Sequence, residues 1–240
     1  VSGLVVRGIS KRFRGLQAVK AVSFDVPERG LIGLIGPNGA GKTTTFNLIA
    51  GVYAPDEGEI TFGSQRLNGL RPDQVCAAGI ARTFQIVRPF GELSVLDNVL
   101  VGCLHADADV AAARRRAAEI IDRLGLGPKR HQVAASLTLP DRKRLEVARA
   151  LGTKPKLLLL DEVMAGLRPT EVDLMVAFFR EINRDLGVTI LLIEHVMRAV
   201  MALAQYVVVL NHGEKIAEGT PEQVVRDPSV LECYLGEEAV

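Results

Sequence analysis

The sequence predicts an α/β fold on a mainly parallel sheet, because three features of its 240 residues agree. Short apolar runs at residues 31–35, 157–160, 188–193 and 206–210 read as strands covered on both faces. Helical patterns lie between them, and alternating strands and helices imply right-handed crossovers with ligands at the carboxyl ends of the strands. Residues 94–152 carry helix signals and no convincing strand, which predicts a helical insertion into the α/β core.

Taken in order, Val22, Phe24 and Val26 alternate with Ser23 and Asp25, the period-two pattern of a half-buried strand near a sheet edge. The run at 31–35, broken only by Gly33, leads straight into a glycine-rich turn. Ser94 stands three residues before Asp97, a helix-capping pattern, and the alanine-rich run 110–124 predicts a second inserted helix. Arg114, Arg115 and Arg116 on that helix are expected to form a solvated face. Leu174, Phe178, Ile182 and Leu186 repeat every four residues and are expected to form one buried stripe.

A net charge of +1 argues against a dedicated nucleic-acid binder, since such domains usually carry a basic excess. The longest apolar runs fall far short of the ~20 residues needed to cross a bilayer as a helix. Residues 1–9 lack a basic head followed by a long apolar stretch, so no secretory signal is expected and a cytoplasmic address follows by default. Cys76, Cys103 and Cys233 are odd in number and widely spaced, as expected of reduced thiols acting as small buried hydrophobes.

Gly36-Pro37-Asn38-Gly39-Ala40-Gly41-Lys42-Thr43 fits G-x-x-x-x-G-K-[ST] between a buried strand and an apolar helix, the context of a phosphate-binding loop. Backbone N–H groups of such a loop cradle phosphate oxygens, and the helix beginning near Lys42 directs its positive end at them. Lys42 is expected to reach the β and γ phosphates, and the Thr43 hydroxyl to ligate Mg²⁺. This loop alone leaves kinases, GTPases, motor ATPases and transporter ATPases open. Asp161 and Glu162, at the end of the 157–160 strand, add a metal-side acid and a general base for an attacking water. A simple nucleotide kinase does not need the second carboxylate, and no N-K-x-D guanine-reading motif is present.

With these residues in place, the chain resembles the nucleotide-binding subunits of ATP-binding cassette transporters, in order over essentially its full length. The resemblance implies a P-loop NTPase (RecA-like) core with a mainly parallel sheet, an N-terminal antiparallel β part and an inserted helical subdomain. It implies one domain over residues 1–240, with the core at 1–86 and 153–240 and the helical subdomain at 87–152. Phe13 is similar to the aromatic residue that stacks on adenine, Gln85 to the glutamine that reaches metal and nucleotide, and His195 to the switch histidine facing the γ phosphate. Thr44 belongs with the nucleotide contacts of the loop, and Ala165-Gly166-Leu167 resembles the segment through which two such subunits touch. Residues 79–85, Ile193-Glu194-His195, residues 219–223 and Tyr234-Leu235-Gly236-Glu237 resemble the ATPases of branched-chain amino acid importers.

The family's Leu-Ser-Gly-Gly-Gln signature departs here to Leu137-Thr138-Leu139-Pro140-Asp141. Pro140 has no N–H to offer a phosphate, yet Thr138 is a good helix N-cap, Asp141 stands at capping-box spacing and Pro140 suits a first turn. An acid at 141 would oppose a phosphate it faced. A divergent working signature is favoured, with Thr138 touching the nucleotide of the partner. Val163 and Arg168 also replace the usual proline and Asp or Asn.

The resemblance therefore implies an ATPase using ATP and Mg²⁺, paired with a second copy or a paralogue and driving transmembrane permease subunits from the inner membrane face. A periplasmic or extracellular substrate-binding protein would act indirectly, and no nucleic acid is expected. The join near residues 85–100 is the expected permease contact. A non-transport cassette ATPase and an ATP-holding regulatory module with impaired turnover are the alternatives.

Overall fold

The computed structural model describes residues 3–85 and 87–235, so Gly236 and Glu237 of the C-terminal resemblance lie outside the described residues. A small antiparallel sheet comes first in the chain. It comprises β1 (Leu4–Phe13), β2 (Leu16–Val26), β4 (Glu57–Phe62) and β5 (Gln65–Arg66), in the order β2-β1-β4-β5. The second sheet runs β10-β9-β3-β8-β7-β6, from β10 (Glu214–Gly219), β9 (Tyr206–Asn211), β3 (Leu31–Ile35), β8 (Thr189–Ile193) and β7 (Leu157–Asp161) to β6 (Ile80–Arg82). All its pairings are parallel except β10 with β9.

The helices are α1 (Lys42–Ile49), α2 (Pro72–Ala77), α3 (Val95–Ala106), α4 (Val110–Arg123), α5 (Leu139–Gly152), α6 (Pro169–Leu186), α7 (Met197–Leu203), α8 (Pro221–Val224) and α9 (Pro228–Leu235). On β7 and β8 successive residues divide between the sheet's faces: Leu158, Leu160, Ile190 and Leu192 pack with α3–α6, and Leu157, Leu159, Leu191 and Ile193 pack with α1 and the antiparallel sheet. That two-sided burial is why these strands read as unbroken apolar runs. The inserted helices share the first of these cores rather than building their own. Among the described residues no helix is long and apolar enough to cross a membrane.

Several expectations need correction. The strand expected at 22–26 extends back to Leu16 and pairs with β1, which showed no period-two signal. Register shifts between Val6 and Ile9, Ile9 and Lys11, and Lys11 and Arg12 break the alternation that sequence periodicity relies on. The Leu174-Phe178-Ile182-Leu186 stripe is half wrong. Phe178 and Ile182 are buried but Leu174 is 60% and Leu186 53% exposed, while Val172, Met175, Val176 and Phe179 complete the buried face. A four-residue step overshoots the 3.6-residue turn by about 40°, so twelve residues carry it off the face.

Arg116 is not a solvated residue: it donates to Asp107 at 2.7 Å and to the Cys103 carbonyl at 3.1 Å. Of the three cysteines expected to be buried, only Cys103 is; Cys76 and Cys233 are half-buried. The Ser94 cap is present as read, its hydroxyl accepting from the Asp97 N–H at 3.0 Å.

Candidate active site

The loop of residues 36–41 leaves the carboxyl end of β3 and turns into α1. Gly36 has φ 147° and Gly41 φ 97°. A Cβ on Gly36 would stand 2.0 Å from the Leu210 carbonyl oxygen, and one on Gly41 2.5 Å from that of Ala18, so only glycine passes this close at these angles. Gly41 is also the N-cap of α1 and brings no side chain to it, which leaves the first N–H groups of the helix for an anion. The Lys42 ammonium is 6% exposed and lies across the loop, donating to the carbonyls of Gly36 at 2.6 Å and Pro37 at 2.7 Å. Residues 38–44, with Thr43 exposed and Thr44 half-buried, border a cleft of about 510 Å³ that also takes in Leu16, Gln17, Gln85, Glu162 and His212.

β7 delivers two carboxylates of opposite character. Asp161 is 1% exposed; one oxygen accepts from Arg82 at 2.8 Å and the other, Oδ1, has no hydrogen-bond partner. Burial raises its pKa against the pull of the Arg82 guanidinium, with Glu162 also raising it and Lys42 lowering it. Glu162 follows with φ 51°, a left-handed conformation unusual for this residue type, and leaves the strand. Its carboxylate is gripped from both sides, by Gln85 Nε2 donating to Oε2 at 2.8 Å and by His195 Nε2 at 2.7 Å from Oε1. Gln85, Glu162 and His195 thus meet from the ends of three adjacent strands, β6, β7 and β8.

The remaining sequence-derived candidates lie elsewhere. Phe13 is half-buried against Tyr53, ring centroids 5.1 Å apart, and is not among the residues lining this cleft, where the exposed Leu16 stands instead. Thr138 occupies the N-cap position of α5 but makes no side-chain cap; its hydroxyl donates to the Asp141 carboxylate at 2.7 Å. Asp141 is itself buried and paired with Lys129 and Arg144, which hold its pKa below the usual range against the penalty of burial. Its charge is therefore neutralised within the chain.

Sequence reasoning missed four charged residues around these groups: Arg82, Lys143, Glu146 and Glu194. Arg82 and Glu194 sat inside quoted motifs without a role. Glu194 directly follows the apolar run 188–193 and Arg82 follows Ile80 and Ala81, a signal that was available, whereas Lys143 and Glu146 stand in the charged run Asp141-Arg142-Lys143-Arg144-Leu145-Glu146, where nothing local marks them as buried.

Comparison with known proteins fits this arrangement. Residues 19–165 match the model of the ABC transporter family. The chain belongs to the ABC transporter ATP-binding family. Residues 214–240 match a second model, branched-chain amino acid ATP-binding cassette transporter. Among relatives, the chain is 41% identical to the high-affinity branched-chain amino acid transport ATP-binding protein LivG of Salmonella typhimurium, and 38% identical to BraF of Pseudomonas aeruginosa, with 98% of each chain covered in both cases. The ADP conformation of MJ1267, an ATP-binding cassette of an ABC transporter, superposes with a TM-score of 0.89 at 30% identity, covering 98% of this chain and 99% of that one. The expected fold class is therefore the observed one, and this ABC cassette is an ATPase that binds ATP through the P-loop fold.

Beneath its active-site surface the cassette buries Glu194, 1% exposed, whose Oε1 accepts from the Met164 N–H at 2.8 Å while Oε2 is unpartnered. Burial pushes its pKa up from 4.5 to about 7, with Lys143 lowering it and Glu162 raising it. The folded state then holds a proton that the unfolded chain releases, so stability falls as pH rises from 4.5 to about 7. Glu194→Gln is expected to reduce that fall, seen as a smaller difference in urea midpoint between about pH 5 and about pH 7.5. An unchanged difference would mean that Glu194 stays ionised in the folded protein.

Proposed function

We propose that this chain is the ATP-hydrolysing subunit of an importer of branched-chain amino acids, driving a separate permease. The observation that carries the reading is similarity to LivG and BraF along 98% of both chains, joined to the match of the C-terminal segment. We assign the P-loop core to residues 1–86 and 153–240 and the helical subdomain to 87–152.

In this reading the loop residues Gly36, Pro37, Asn38, Gly39, Ala40 and Gly41 cradle the phosphates, with Lys42 leaving its loop carbonyls for the β and γ phosphates and Thr44 flanking them. Phe13 serves the adenine side. The Glu162 carboxylate, oriented by Gln85 and His195, takes the proton of an attacking water, and His195 also faces the γ phosphate. The Oδ1 of Asp161, buried and without a hydrogen-bond partner, would join the Thr43 hydroxyl and the Gln85 amide oxygen, all oxygens of the kind a hard cation takes. Among the described residues no group of three or more His, Cys, Asp or Glu could hold a metal by itself. These residues would hold Mg²⁺, which supplies charge neutralisation at the phosphates when bound.

We further propose that two such cassettes pair head to tail, each presenting residues 137–141 to the other's nucleotide. The start of α5 supports a working signature, since Pro140 lies within its first turn and Asp141 is already paired. We place the permease contact at the join near residues 85–100. The cleft at the join, about 290 Å³, is lined by Phe84, Val101 and Gly102, which flank residues 85–100. Docking of an apolar permease helix there would hold the chain on the inner membrane face.

The test is reconstitution with its permease subunits and binding protein in proteoliposomes. ATP-driven uptake of leucine, isoleucine or valine is expected. Uptake of a different amide or acid alone would overturn the cargo, and failure to associate with any permease would overturn the transport role.

A further inference from the structure

α5 touches the active site of its own subunit at two points, one turn apart. The Lys143 ammonium, on a side chain 5% exposed, donates to the backbone carbonyl of Glu162 at 2.7 Å. Three residues along, Glu146, 6% exposed, accepts the Phe84 N–H at 2.6 Å through Oε1. Residues three apart lie on one helix face, so the two contacts form a pair. They grip the two strands of one clamp. Phe84 immediately precedes Gln85, whose side chain holds the Glu162 carboxylate, and the Glu162 carbonyl belongs to the residue bent out of β7 at φ 51°.

Neither contact is cheap to keep. Burying an ammonium and a carboxyl group carries a desolvation penalty that only good geometry offsets, and buried ionic groups are often replaceable by apolar residues without loss of stability. Glu146 also leaves Oε2 unpartnered. A left-handed non-glycine residue persists only where its surroundings hold it. The Glu162 N–H is bound to the Ile193 carbonyl at 2.9 Å, and on the carbonyl side the Lys143 ammonium donates at 2.7 Å beside a longer bond from the Ala165 N–H at 3.3 Å. To the extent that they are ionised, Glu194, Glu146 and Glu162 favour the Lys143 ammonium against the burial that lowers its pKa, and burial likewise pushes Glu146 up to about 7.

We propose that Lys143 and Glu146 are positioning residues for ATP hydrolysis, a two-point grip by which α5 sets the direction of the Glu162 carboxylate and of Gln85. This rests on Glu162 being the base. Thr138, at the head of α5, lies five and eight residues from the grip, about 7 and 12 Å along the helix axis. α5 thereby links residues 137–141, proposed above to face the partner's nucleotide, to the base of its own site.

The experiment uses the full chain with the subunits it assembles with, measuring kcat, KM for ATP, ATP affinity and melting temperature. Lys143→Met and Glu146→Met, which keep volume but remove the grip, are expected to lower kcat by about 10- to 10²-fold while ATP affinity stays within about twofold. Lys143→Arg and Glu146→Gln keep a donor and an acceptor and are expected to retain most of the rate. Glu162→Gln is the reference. If it loses turnover and both methionine variants keep theirs, the grip is wrong and the base stands. If it keeps turnover, the base fails and the grip falls with it. Methionine variants that lose affinity, melting temperature and rate together, with no rescue by Arg or Gln, reduce both residues to structural supports. Should Lys143→Met not fold, the Glu146 pair decides on the same readouts.

Discussion

Replacing Glu162 by Gln is expected to lower ATP turnover by about 10²- to 10⁴-fold, the range over which a positioned general base contributes. The substitution preserves size and one acceptor, so the fold and the bonds to β8 and α5 should survive. The missing element is the capacity to take a proton from water at the point where Gln85 and His195 hold the carboxylate. ATP binding should persist, because the loop and Lys42 are untouched. Turnover assays with phosphate detection decide the rate, and the mass of the variant in solution with and without Mg-ATP decides the pairing. A nucleotide-dependent dimer would show that Leu137-Thr138-Leu139-Pro140-Asp141 can close on ATP. A persistent monomer would point to a paralogous partner and make Pro140 the next residue to change. An unaltered rate would remove Glu162 from the mechanism.

Lys42→Met is expected to produce the second large loss, in ATP binding rather than in the chemical step alone. In the present state the ammonium bridges the Gly36 and Pro37 carbonyls from inside the loop, held where phosphate oxygens would replace those carbonyls as acceptors. Methionine fills the same space without charge or donors, so the melting temperature should change little. kcat/KM should fall by about 10²- to 10³-fold, as when a preorganised donor is removed from a low-dielectric site. Equilibrium titration with ATP checks this directly. Unchanged affinity would mean that the backbone N–H groups at Gly41 and the start of α1 carry the binding without the lysine.

The buried strands at 31–35, 157–160, 188–193 and 206–210 were legible because each is covered on both sides, which demands apolar residues without interruption. The phosphate loop was legible for a different reason. Its glycines, lysine and threonine act through the backbone of one short segment, so spacing alone carries the geometry. β1 escaped notice because bulges shift its register, and the α6 stripe was drawn at the wrong angle because the helix turns in 3.6 residues, not four.

The sequence by itself determined the α/β alternation, the loop at residues 36–43 and the acid pair Asp161-Glu162, since all of these follow from contiguous residues and local backbone preferences. Only the tertiary structure decided what surrounds that pair. Gln85 comes to Glu162 across a separation of 77 residues and His195 across 33, through strands laid side by side in an order the chain does not follow. Arg82 neutralises Asp161, Lys129 and Arg144 neutralise Asp141, and Lys143 and Glu146 reach in from α5. A charge written into an apolar stretch shows that something must compensate it. Which group does so is set by long-range packing, because desolvation selects partners by proximity in space and not along the chain.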